Sequence, residues 1–174
     1  YPGYEDSDPA HFVQFGDDLY FRADDGVSGD ELWKFDGTTV SQVADIRPGS
    51  DSSYPGNLAV FDGALYFEAN DGVSGTEPWK FDGTTASQVA DILPGGDSSY
   101  ASGFQAADGL LFFEANDNVH GEEMWQFDGT TLSMVADSNP GSSGSAPDNQ
   151  TAWRNAVWLD SDGIVGDKVY DDSL

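Results

Sequence analysis

A 46-residue repeat constrains this chain more than any other feature. The segments Leu19-Tyr20-Phe21, Leu65-Tyr66-Phe67, Leu111-Phe112-Phe113 and Val157-Trp158-Leu159 follow one another at intervals of 46, and Pro-Gly pairs beginning at Pro2, Pro48, Pro94 and Pro140 keep the same spacing. Four copies fill the 174 residues as 1–47, 48–93, 94–139 and a degenerate 140–174. A period of this size marks architectures in which each copy is one supersecondary unit and neighbours bury what a single unit leaves open.

In copy two, the segments 58–61, 64–69, 77–81 and 87–92 are rich in aromatic and β-branched residues and are divided by turn signals, as expected of four short strands. Asp62-Gly63 and Asp82-Gly83 lie between strands, where a two-residue hairpin turn needs positive φ. The link at 93–103 is longer and carries Pro, Gly and Ser, which suits a crossing from the outer edge of one sheet to the inner edge of the next. Three hairpin steps and a crossing predict an all-β chain, a single β-propeller domain of four-stranded blades. No helix is expected, because no apolar period of 3.6 occurs and glycine recurs too often.

The last blade is expected to lack its fourth strand. Gly166-Asp167-Lys168-Val169-Tyr170 aligns with Gly121-Glu122-Glu123-Met124-Trp125 after one deletion, and no counterpart of Ser133-Met134-Val135-Ala136-Asp137 follows. Such an edge is left as built, continued by further chain, or completed by a strand of a neighbouring subunit. Lys168, Asp171 and Asp172 would blunt it against random pairing. The sequence opens on Tyr1-Pro2-Gly3 without methionine or signal peptide, and so reads as a mature or excised segment.

Charge narrows the function classes. The 32 acidic residues face 6 basic ones, for a net charge of -26, which disfavours nucleic acid and anionic lipid surfaces. No apolar run approaches the roughly 18 residues of a spanning helix, so no membrane insertion is expected. Without cysteine there is no disulfide, thiolate zinc site or cysteine nucleophile, but calcium can replace disulfides in exported proteins. The acid comprises 25 Asp and 7 Glu, a bias toward the better turn former and hard-oxygen ligand.

Glu31-Leu32-Trp33-Lys34-Phe35-Asp36-Gly37-Thr38 follows the pattern ELWxxDGT letter for letter, while copy two departs at Pro78 and copy three at Met124. The chain resembles the ELWxxDGT-repeat family of exported bacterial and archaeal proteins, fully in three copies and weakly in the fourth. That resemblance implies a secreted repeat module with β-propeller-like blades, and it implies no reaction.

The strongest candidate site is the loop between strands two and three. Its oxygen donors are Asp24, Asp25, Asp30 and Glu31 in copy one, Asn70, Asp71 and Glu77 in copy two, and Asn116, Asp117 and Glu123 in copy three. Calcium takes about six to eight oxygens from tightly curled chain, and acids this close repel unless a cation or strong hydrogen bonds compensate them. The alternative is that Asp-Gly turns the chain and the Glu faces water or caps a backbone amide. The EF-hand pattern is absent. With Lys168 in place of the Glu, the fourth loop is expected to bind metal weakly or not at all.

Asp45, Asp51, Asp91, Asp97 and Asp137 on the crossing loops form a possible second metal set, against which stand ordinary Asx and Ser turns. Trp33, Trp79 and Trp125 recur at one strand position, which favours packing between sheets over sugar stacking, and Trp153 is a candidate partner contact. His11 and His120 hold different repeat positions, and no nucleophile, base and acid series is present. Asn149-Gln150-Thr151 is an N-glycosylation sequon. The expected function is an extracellular, Ca2+-stabilised structural protein that self-associates through blade edges. The alternatives are a glycan-binding adhesin with a cell-surface partner and, third, a secreted hydrolase built on a carboxylate pair.

Overall fold

A computed structural model describes residues 6–137, 140–142 and 144, together with the backbone of three strands in the fourth repeat. The first sheet comprises β1 (Ala10–Phe15), β2 (Asp18–Asp24), β3 (Asp30–Phe35) and β4 (Val40–Ala44). The second comprises β5 (Gly56–Phe61), β6 (Ala64–Asn70), β7 (Thr76–Phe81) and β8 (Ala86–Gln88). The third comprises β9 (Ser102–Ala107), β10 (Leu110–Asn116), β11 (Glu122–Phe127) and β12 (Leu132–Met134), and the fourth β13 (Asp148–Trp153), β14 (Ala156–Ser161) and β15 (Ile164–Lys168). Each sheet is antiparallel in chain order, and β1 lies beside β5, β5 beside β9 and β9 beside β13. The fold is all-β with propeller-like blades, their first strands adjacent.

The turns follow from local chemistry. Asp62-Gly63 and Asp108-Gly109 have φ of 45° and 73°, and of 52° and 75°, the left-handed pair of a two-residue hairpin. The Asp82-Gly83 link differs from the expected two-residue turn. It spans 82–85, with the Asp82 amide donating to the Thr85 carbonyl at 3.3 Å and Asp82 Oδ1 accepting from the amides of Thr84 and Thr85, both at 2.8 Å. The aspartate closes a longer turn, and only Gly83 needs the left-handed region, at φ 94°.

The outer strands are shorter than the pattern predicts, β8 ending at Gln88 rather than near 92. After one more backbone bond, Val89 N–H to Pro78 O at 2.8 Å, the chain peels away into the crossing loop. Pro78 fits inside a strand because its ladder with β8 begins only at Trp79, opposite Gln88.

The core lies between sheets. Tyr20, Leu32 and Ile46 of the first pack on Leu65, Phe67 and Phe81 of the second, and Phe61 and Tyr66 pack on Leu111, Phe113 and Phe127 of the third. Trp79 and Trp125 are half-buried against these clusters, the position expected of packing residues. In the fourth sheet, Trp158 pairs with Lys168, as Tyr20 pairs with Lys34 and Phe112 with Gln126. Lys168 thus holds the register of Lys34 and Gln126, not the glutamate position assigned by simple alignment, because a register shift between Leu159 and Asp160 absorbs the deletion. Tyr170, Asp171 and Asp172, and the side chains of Asn149, Trp153 and Lys168, lie outside the described residues.

Two glycines separate strain from crowding. Gly83 has φ 94° with open space around it, whereas Gly75 has φ 76° and an added Cβ would strike the Asp97 carbonyl. Gly83→Ala is expected to cost about 1–2 kcal/mol from backbone conformation alone, and Gly75→Ala clearly more. Urea denaturation of both variants checks the order, and equal losses would refute it.

Candidate functional site: acidic loops and blade junctions

The first two aspartate positions of each loop act as turn caps. Asp24 Oδ1 accepts from Gly26 N at 2.6 Å, and Asp25 Oδ1 accepts from Val27 N, Ser28 N and Ser28 Oγ at 2.9, 2.8 and 3.0 Å. Copy two repeats this with Asn70 on Gly72 N at 2.7 Å and Asp71 on Val73 N and Ser74 N at 2.8 and 2.7 Å. In copy three, Asn116 accepts from Asn118 N at 2.6 Å, and Asp117 from Val119 N and His120 N at 2.9 and 2.8 Å. The Ser28 backbone amide leads the groups that hold the Asp25 carboxyl below its ordinary range. Asp71 and Asp117 are also lowered: burial acts upward on both, and the accepted amides and side-chain bonds outweigh it.

The glutamates of the same loops point elsewhere. Glu31, Glu77 and Glu123 are 0%, 0% and 1% exposed. Glu31 Oε2 accepts from Ile46 N at 2.9 Å and Ser53 Oγ at 2.6 Å, while Oε1 accepts from Ser53 N at 3.0 Å. Glu77 makes the same three bonds, to Ile92 N at 3.0 Å, Ser99 Oγ at 2.7 Å and Ser99 N at 2.9 Å. The corresponding partners of Glu123, at positions 138 and 145, lie outside the described residues. Glu31 and Glu77 thus each organise the crossing loop that leaves their own blade.

The serine it holds also reaches forward. The Ser53 carbonyl accepts from Asn70 N at 2.9 Å and that of Ser99 from Asn116 N at 2.9 Å, each on the next blade. A neighbouring serine closes the junction, with Asp30 N donating to Ser52 Oγ at 2.9 Å and Thr76 N to Ser98 Oγ at 2.8 Å. In the third junction Gly144 replaces that serine at φ 64°, where a Cβ would strike the Glu122 amide.

Among the described residues, no three His, Asp or Glu side chains meet in an arrangement that could hold a metal ion. Asp30 sits 3.5 Å from Arg22 Nε. On the crossing loops, Asp45, Asp51, Asp91 and Asp97 are exposed, with Asp51 3.1 Å from Arg47, and Asp137 is half-buried. The sequence reading missed Glu68, whose Oε1 accepts from Asn57 Nδ2 at 2.6 Å. Burial raises its pKa against the Asn57 amide and the Arg22 charge. Its signal was an acid between two strand residues, Phe67 and Ala69, that are fully buried.

No protein-family model matches the sequence, and no curated protein aligns with it. Solved structures do. The computationally designed Ika4 protein matches at 15% identity and TM-score 0.49 over 96% of this chain and 91% of its own. The designed Ika8 protein matches at 12% and 0.49 over 90% and 44%, and the Bacteroides ovatus xyloglucan PUL GH43B at 18% and 0.48 over 88% and 35%. The chain spans less than half the length of the latter two.

Burial lifts the Glu77 carboxyl above its ordinary range, against the pull of the Ser99 hydroxyl and the Ile92 and Ser99 amides. A raised folded pKa contributes stability that is complete below the unfolded value of about 4.3 and is lost as pH rises through the folded value. Glu77→Gln is therefore expected to flatten that part of the stability profile. Ser99→Ala should cost about 1–3 kcal/mol by stranding the carboxylate. Chemical denaturation from pH 4 to 7 checks both, and a profile unchanged in Glu77→Gln would refute the assignment. His120, 2.7 Å from Asp117 Oδ2, is held above its ordinary pKa first by that hydrogen bond. Its stabilising charge is complete below about pH 6.5 and lost as pH rises through the raised value. Asp117→Asn should lower the His120 pKa measured by NMR.

Proposed function

We propose that this chain is a non-catalytic structural module, a run of propeller-like blades in an exported or cell-surface protein that builds larger assemblies. The observation that carries this reading is the recurrent junction at Ser53 and Ser99, in which a buried glutamate of one blade fixes the loop that hydrogen-bonds the next. Acid that would serve chemistry in an open cleft is here enclosed and fully bonded. Export is supported by the resemblance to the ELWxxDGT-repeat proteins.

On this reading the junctions stand without a metal ion. Divalent cations act on the general excess of negative charge, which is -26 over the chain. The glycan-binding alternative loses support at Trp79 and Trp125, which pack half-buried between sheets. The test is thermal melting with calcium, with magnesium and with a chelator. Calcium and magnesium are expected to raise the melting temperature equally, through screening. A calcium-specific rise that Asp71→Asn abolishes would place an ion in the loop and overturn the reading.

A further inference from the structure

Two tyrosines occupy positions that neither backbone preference nor core packing favours. Tyr54 and its counterpart Tyr100 close the crossing loops just ahead of β5 and β9, and both adopt left-handed backbone, at φ 51° and 53°. The fold imposes that conformation, because Asp8 at the same position of the first repeat has φ 39°. Aspartate tolerates it, whereas a large side chain meets the full steric cost. Packing does not offset that cost, since Tyr54 and Tyr100 are 57% and 65% exposed.

Both rings sit at junctions whose two flanking blades are described, and both backbones are fixed. The Tyr54 amide donates to the Asp30 carbonyl and the Tyr100 amide to the Thr76 carbonyl, each at 3.2 Å. Only two side-chain torsions are left to order when such a ring is covered.

Valine repeats on the same end of the blades. Val27, Val73 and Val119 form the tips of the loops between second and third strands and are 74%, 76% and 65% exposed. These tips adjoin the crossing loops, since a Cβ added at Gly96 would lie 3.7 Å from the Val73 carbonyl. Carboxylates are interspersed with them: Asp25, Asp71 and Asp117 in the loops, and Asp51 and Asp97 shortly before the two tyrosines.

An uncharged partner gains nothing from that acid, whereas a cationic one is drawn by all of it. The chain itself seats one cation there. Arg47 on the first crossing loop lies 3.1 Å from Asp51, and a Cβ added at Gly72 of the next blade would come within 3.1 Å of its Nε. The second crossing loop carries Leu93 in its place, so Asp97 is exposed without that intramolecular arginine.

We propose that this end of the module is a docking surface for an extended, lysine- and arginine-rich polypeptide segment. Its ammonium and guanidinium groups meet the faces of Tyr54 and Tyr100 and the carboxylates of Asp51 and Asp97, while its methylene stems lie over the valine tips. The surface is separate from the buried glutamate junctions, so it adds a partner to the structural module and does not depend on that reading.

Fluorescence anisotropy of a labelled decalysine peptide tests this at about 0.15 M salt, where exposed charges more than about 8 Å apart are largely screened. Tyr54→Asn combined with Tyr100→Asn leaves the net charge unchanged and suits left-handed backbone, so the fold is kept and a general attraction to acid predicts no effect. The docking surface predicts an affinity lower by about tenfold, two exposed cation–π contacts having been removed. Tyr54→Phe combined with Tyr100→Phe keeps both rings and should bind as the wild type does. Asp51→Asn with Asp97→Asn should weaken binding more than the charge-matched Asp62→Asn with Asp108→Asn, whose hairpin turns lie at the opposite end of the sheets. Equal affinity of the wild type and the asparagine pair, or equal losses from the two aspartate pairs, would overturn the proposal. So would tyrosine-dependent binding of cellohexaose, an uncharged sugar chain, by a protein that ignores decalysine. None of these results bears on melting with calcium and magnesium, which tests the structural-module reading separately.

Discussion

A buried glutamate that accepts three hydrogen bonds from a loop far along the chain is the interaction on which the rest of this structure depends. The crossing loop must leave an outer strand and reach the inner edge of the next sheet, and on the way its amides lose their strand partners. A buried amide without an acceptor costs about 1–3 kcal/mol. Glu31 supplies two oxygens from one side chain and satisfies Ile46 N, Ser53 N and the Ser53 hydroxyl together. The cost is a carboxyl taken out of water, visible as its raised pKa, which burial drives against those donors. The loop so fixed places the Ser53 carbonyl on Asn70, so one side chain sets both the exit from a blade and the approach of the next.

The signature ELWxxDGT then resolves into separate physical tasks. The glutamate holds the crossing loop. The second position needs only apolar volume, and Leu32, Pro78 and Met124 are all buried there. The tryptophan packs between sheets at Trp79 and Trp125, the aspartate accepts two turn amides, the glycine takes positive φ at 88°, 94° and 94°, and the threonines donate the amides that the aspartate receives. Much of the acid is thus assigned one hydrogen-bonding duty at a time. A chain with many such turns becomes strongly acidic through its turns alone.

The repeat, the strands and the tight turns were legible in the sequence because each depends on residues near one another. Asp62-Gly63 declares its hairpin locally, and the aromatic-rich run Leu65-Tyr66-Phe67 declares a strand. The role of Glu31 was not legible, because its partner Ser53 lies 22 residues away on a segment that reads as an ordinary Pro-Gly-Ser loop. From sequence alone, Glu31 stands with Asp24, Asp25 and Asp30 as one acidic group. The fold turns its carboxylate inward, and that separation is a property of tertiary packing. The register of Lys168 failed to show for a related reason, since a deletion can be absorbed by a shift in strand pairing that no linear alignment displays.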